Sequence, residues 1–122
     1  MDQVRPRLLF GDLFDAANHD AYRRHEVDAV VKLTGARPGT AYPDDVEVSD
    51  LALPDGETND HEEFAAAVTR VQELLGNGET VFVHCAAGQS RSVCVTAATH
   101  ALLDDEPFAY GLDRLRELRD VN

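Results

Sequence analysis

The sequence predicts an α/β domain: a central, mostly parallel sheet of four to five strands flanked by helices. Two short apolar segments, Asp28–Leu33 (DAVVKL) and Thr80–His84 (TVFVH), carry β-branched residues and little polar alternation, as strands buried on both faces do. Longer segments with apolar residues at helical spacing lie between and after them. The 122 residues suit one domain, 1–122, which at about this length buries roughly two-thirds of its unfolded surface.

Arg7–Gly11 (RLLFG) reads as the opening strand, ending at glycine. Asp15–His25 reads as one helix grouping Ala16, Ala17, Ala21 and Tyr22. Asp28–Leu33 is the second strand, closed by Thr34-Gly35. Arg37–Asp45 holds two prolines and a glycine and reads as loop. Val46–Leu51 (VEVSDL) alternates like a half-buried strand and leads into the turn signal Leu53-Pro54-Asp55-Gly56. Asn59 and Glu62 have capping-box spacing for a helix that buries Phe64, Val68, Val71 and Leu75 and stops at Gly76 and Gly78. Thr80–His84 is expected at the centre of the sheet. Arg91–Leu103 is apolar on nearly every face, a buried helix. A last helix starts at Pro107 and buries Phe108, Leu112, Leu115 and Leu118.

Composition excludes several functions. The longest apolar run is Phe64 to Val68, too short for a membrane span, and MDQVRPRLLF lacks a signal-peptide core. Two cysteines make no disulfide framework, so a reducing, cytoplasmic setting is expected. The acids number 23 against ten arginines and a single lysine, Lys32, for a net charge of −12. Such a surface repels nucleic acid and anionic membranes unless a local site overcomes the field. An Asp-rich, Lys-poor surface also fits a halophilic, salt-rich cytoplasm, where screening relieves the repulsion.

One segment carries chemistry: His84-Cys85-Ala86-Ala87-Gly88-Gln89-Ser90-Arg91-Ser92, between a buried strand and a buried helix. A tight loop there turns successive backbone N–H groups inward, and the helix N-terminus adds its positive end, so residues 86–90 are expected to cradle an anion. Gly88 lets the backbone approach the ligand closely. Arg91 supplies a planar fork for two phosphate oxygens. Cys85 at the floor of such a nest favours the thiolate, with pKa values of about 3.5–7.5 in sites of this kind against ~8.5 for an isolated thiol. A thiolate facing a cradled phosphoryl group is a positioned nucleophile.

The pattern His-Cys-x-x-Gly-x-x-Arg-Ser, at His84, Cys85, Gly88, Arg91 and Ser92, resembles the cysteine-dependent protein phosphatases, and the dual-specificity group among them. Leu9-Phe10-Gly11-Asp12-Leu13 with Asp15-Ala16-Ala17-Asn18, and Val27–Gly35, are similar to the family's opening strand, helix and second strand. The likeness runs from about residue 7 to 119 and implies the phosphatase fold, with the Cys-x5-Arg loop between a central strand and a buried helix. Low-molecular-weight phosphatases and arsenate reductases carry this loop near the N-terminus, unlike this chain. Rhodanese-like sulfurtransferases, and binding modules that hold phosphate without turnover, stay open as alternatives.

Phosphoester cleavage needs a general acid. The upstream candidates are Asp50, Asp55, Glu57 and Asp60. The resemblance favours Asp55: Leu53-Pro54-Asp55 is similar to the Trp-Pro-Asp loop of tyrosine-specific relatives. It implies that Ser92 donates a hydrogen bond to the Cys85 sulfur; a serine near a helix start also caps backbone donors. His84 is expected to support the loop structurally. Cys94 reads as a small core residue or as a disulfide partner of Cys85. The remaining histidines form no metal-ligand spacing, and neither metal nor cofactor is expected. Ala86, Ala87, Gln89 and Ser90 lack the lysines with which phosphoinositide phosphatases meet extra phosphates. The expected partner is therefore a phosphorylated protein, phosphotyrosine first and phosphoserine or phosphothreonine second. No nucleic-acid or membrane partner is expected, and oligomeric state is not legible.

Overall fold

A five-stranded sheet in the order β1-β2-β5-β3-β4 organises the computed structural model, which describes residues 1–52, 61–86 and 91–119. The strands are β1 (Asp2–Arg5), β2 (Leu8–Gly11), β3 (Ala29–Lys32), β4 (Glu47–Asp50) and β5 (Val81–His84). Pairs β2–β5, β5–β3 and β3–β4 are parallel; only β1, on the edge, is antiparallel to its neighbour. The helices are α1 (Leu13–Ala16), α2 (His19–His25), α3 (His61–Gly76), α4 (Arg91–Leu103) and α5 (Phe108–Leu118).

Strand alternation divides the core in two. Val81, Val83 and Cys85 point to one face with Ala29, Val31 and Leu33, against Val68, Val71 and Leu74 of α3, Val93 and Val95 of α4 and Leu115 of α5. Phe82 and Val30 point to the other, against Ala16, Tyr22 and Val27. With layers on both sides, β5 carries no exposed residue, which is why its sequence is a continuous apolar run. Arg70 of α3 fastens the outer strand, its Nε donating to Ser49 Oγ at 3.0 Å and its Nη2 to Glu47 at 2.8 Å.

Several expectations need correction. Asp15–His25 is not one helix but two. Asp12 caps the single turn of α1 in a capping box with Asp15, and Asn18 caps α2. The Tyr22 hydroxyl donates to the Ala16 carbonyl at 2.8 Å, satisfying an acceptor at the break. Strand β1 was not expected: in Asp2–Arg5 only Val4 is buried, so no apolar pattern marks it. Strand β4 is mostly exposed rather than half-buried, as the sheet's other edge. Phe108 is exposed, because the α5 residues facing α4 are Gly111 and Leu115, with Leu112 and Leu118 partly covered. Leu102 and Leu103, at the end of the otherwise buried α4, are also exposed. Phe64 is only partly buried. The expected turn at Leu53–Gly56 and the cap at Asn59 lie outside the described residues; Gly78 follows α3 at φ +83°, a conformation that suits glycine.

Helices α4 and α5 pack closely because position 111 has no side chain. A Cβ there would lie 2.0 Å from the Ala97 carbonyl oxygen. Alanine ordinarily favours a helix over glycine by about 1 kcal/mol. At this contact the sign reverses: Gly111→Ala should destabilise the fold by about 1–3 kcal/mol, the usual cost of overpacking. A urea midpoint equal to or above wild type would contradict this.

Candidate active site

The parallel strands β3, β4 and β5 end together, and the segments leaving them form one rim. Backbone bonds hold it: Leu33 N–H donates to the His84 carbonyl at 2.9 Å and Leu51 N–H to the Lys32 carbonyl at 2.9 Å. At the start of α1, Leu13 N–H donates to the Ala86 carbonyl at 3.2 Å, tying the residue after Cys85 to the opening helix.

Cys85 follows the last residue of β5 and is 1% exposed. Its Sγ lies 3.2 Å from Ser92 Oγ, on the first turn of α4. The same hydroxyl is 3.5 Å from the Gly11 carbonyl, a weak contact at that length. As a thiol, Cys85 can donate to Oγ while the hydroxyl proton turns to Gly11. As a thiolate it can only accept, and the hydroxyl proton turns to sulfur. Arg91 opens α4 and is half-buried. The geometry therefore brings Cys85, Ala86, Arg91 and Ser92 to one place. Ala87, Gly88, Gln89 and Ser90 lie outside the described residues, as do Asp55, Glu57 and Asp60. Asp50, the remaining acid considered, ends β4 with its carboxylate 3.4 Å from Lys32 Nζ. Cys94 is not joined to Cys85 by a disulfide; burial, then the charge of Cys85, pushes its thiol up.

His84 points to the opposite face of the sheet from Cys85 and is fully buried. A carbonyl oxygen can only accept, so the 3.4 Å contact with the Cys85 carbonyl places a proton on Nδ1. Nε2 then accepts from the Tyr42 hydroxyl at 2.7 Å. Phe82 stacks on the imidazole with ring centroids 5.6 Å apart, and Tyr22 meets Phe82 edge-on. Tyr42 is the residue the sequence reading misses: it sits in an aperiodic segment between Ala41 and Pro43. Burial, then the charge of Asp50, raises its hydroxyl to about 12, so it remains a donor at neutral pH.

The catalytic-domain model of dual specificity phosphatases matches residues 12–99. The chain belongs to this family. Human dual specificity protein phosphatase 12 is 30% identical over 125 residues, covering 98% of this chain and 36% of that protein. The chain spans between 29% and 60% of the length of the curated relatives it matches. Human DUSP28 superposes with a TM-score of 0.87 at 20% identity, covering 99% of this chain and 85% of that one. A mouse putative dual specificity phosphatase, crystallised with zinc tungstate, superposes with a TM-score of 0.86 at 20% identity, covering 98% and 76%. These likenesses establish the phosphatase fold, with its central sheet between helical layers.

In this dual-specificity phosphatase domain the surroundings of His84 disfavour its charged form. Burial pushes its imidazole below the ordinary value; the Lys32 charge adds to this, and the bond to the Cys85 carbonyl opposes it without reversing it. The unfolded chain therefore binds a proton that the folded chain refuses. The stability so gained is present above the unfolded pKa of about 6.5 and is lost as pH falls through it toward the lower folded value. His25 and His100 are shifted the same way. The melting midpoint should fall between pH 7 and 5, and His84→Asn should reduce the slope. Equal slopes in the two proteins would remove His84 from this role.

Proposed function

We propose that the domain hydrolyses phosphomonoesters without metal through a phosphocysteine intermediate, on phosphotyrosine first and phosphoserine or phosphothreonine second. The observation that carries this is the Cys85 sulfur at 3.2 Å from the Ser92 hydroxyl, with Arg91 opening the same helix. The Cys85 thiolate attacks phosphorus in line and the P–O bond breaks. Asp55 gives its proton to the departing oxygen. Backbone N–H groups of residues 86–90 and the Arg91 fork hold the equatorial oxygens as charge redistributes. Water then attacks phosphorus, Asp55 takes its proton, and the P–S bond breaks with the Ser92 hydroxyl donating to the departing thiolate. His84 holds the loop backbone and takes no proton in the cycle.

Family membership favours phosphoryl transfer over sulfur transfer, and the Cys85, Arg91 and Ser92 set favours turnover over phosphate binding alone. The test is release of phenolate from an aryl phosphate in EDTA, blocked by vanadate. Thiocyanate formation from thiosulfate without phosphate release would overturn the reading.

We assign the domain to a reducing cytoplasm; the two cysteines without a disulfide support this. Among the described residues no helix is long and apolar enough to cross a membrane. The net charge of −12 with one lysine supports a salt-rich setting. Raising KCl from low to molar concentration should then raise the melting midpoint as carboxylate repulsion is screened. A flat or falling midpoint would contradict it.

A further inference from the structure

The sole lysine of the chain is buried beside the reaction centre. Lys32 ends β3, is 7% exposed, and stands in register with His84 across the sheet, about 5 Å away in backbone spacing. In a chain this acidic, a buried ammonium needs anionic company. Its only anionic partner among the described residues is Asp50, and only at 3.4 Å, with the Asp50 side chain 62% exposed. The ammonium has three donors, and the bond to Asp50 uses one of them.

These two residues line a cavity of about 390 Å³ together with Arg37, Tyr42, Pro38 and Val48. Arg37 is exposed and makes no ion pair among the described residues. Among the described lining residues two cations thus share the cavity with one carboxylate, on a molecule of net charge −12. The Pro38 and Val48 walls offer apolar surface to a short methylene stem. Tyr42 joins the cavity to the rim, its hydroxyl donating to His84, the residue before Cys85.

We propose that this cavity is a specificity subsite for the carboxylate of an aspartate or glutamate flanking the phosphorylated residue of the substrate. The inference rests on the phosphatase reading above and names the substrate feature that this domain selects. One net positive charge among the described lining residues suits one carboxylate better than a dianionic phosphate. The incoming carboxylate takes the remaining donors of Lys32 and the fork of Arg37, while the exposed Asp50 side chain turns toward water. Extended chain advances about 3.3–3.6 Å per residue, so three positions on either side of the phosphorylated one sample a reach of about 10 Å. The contact is made equally before and during phosphoryl transfer, so it acts on KM rather than kcat.

The test uses tyrosine-phosphorylated peptides with glutamate placed in turn at the three positions on either side, each paired with its glutamine counterpart. At low salt the wild-type domain should prefer one glutamate peptide by about tenfold in kcat/KM, through KM, as a charge-assisted contact gives. The preference should shrink at molar salt. It should fall toward unity in Arg37→Gln, whose site is exposed, and in Lys32→Met, which keeps the buried stem. Wild-type hydrolysis of all peptides with no glutamate preference would overturn the subsite and leave the phosphatase reading intact. Failure to hydrolyse any peptide or an aryl phosphate would strike that reading itself. A preference unchanged in both variants would place recognition elsewhere. A preference for phosphothreonine at the same position, with glutamate and glutamine equal, would overturn the carboxylate assignment.

Discussion

Cys85→Ser should release no product above background while still binding tungstate or phosphate. A serine hydroxyl stays protonated where a cysteine in an anion nest ionises, so the replacement removes the nucleophile but not the cradle. Loss of a nucleophile can cost about 10⁶ in kcat, the largest effect expected of any substitution here. The site should tolerate the change, since Cys85 is 1% exposed and serine is slightly smaller. Ser92, 3.2 Å from the native sulfur, can hydrogen-bond the new hydroxyl. Phenolate release and calorimetric tungstate binding give the two readouts. Retained turnover would remove Cys85 from the nucleophile role, and loss of both turnover and binding would point to a collapsed loop.

Asp55→Asn should lower turnover of a phosphotyrosine peptide by roughly 10²–10⁴-fold, the range that general acid catalysis supplies. The defect should shrink on an aryl phosphate with a low leaving-group pKa, because that phenolate departs without a proton. The basic limb of the pH–rate profile should flatten as well, since it reports the acid losing its proton. Asp50→Asn and Asp60→Asn are the comparisons. Asp50 has another engagement, its carboxylate facing Lys32 at 3.4 Å from the end of β4. An equal loss on both substrates, or a leaving-group-dependent loss in either comparison variant, would move the assignment away from Asp55.

What the sequence disclosed follows from how strongly each element depends on burial. The helix Arg91–Leu103 was legible because most of its length is enclosed and its polar residues are few and mostly small. The centrality of β5 was legible for the same reason. Strand β1 was not, because an edge strand with one buried valine leaves no periodic mark. The break between α1 and α2 rests on two side-chain caps, Asp12 and Asn18, that a hydrophobic count passes over. Phe108 misled because an apolar residue after a proline looks like the start of a buried stripe, whereas the contact with α4 is built on an absent side chain at Gly111. The Cys-x5-Arg pattern stands out in the sequence because its residues are contiguous. Tyr42 does not, since its bond to His84 spans 42 residues and leaves no local trace.

The central placement of β5 also governs how its cysteine meets reagents. A strand hydrogen-bonded on both sides within the sheet, and covered on both faces, opens only when the whole domain does. Its amides at Val81 to Val83 should belong to the slowest class of hydrogen exchange, with protection approaching the global unfolding free energy. Cys85 hangs from the end of that strand. On the mechanism proposed above, alkylation or oxidation should reach its sulfur from the phosphate-binding side and not through breathing of the sheet. A bound oxyanion should then shield the thiol directly. A mild denaturant dose that loosens the edges at β1 and β4 leaves the modification rate unchanged until the cooperative transition begins.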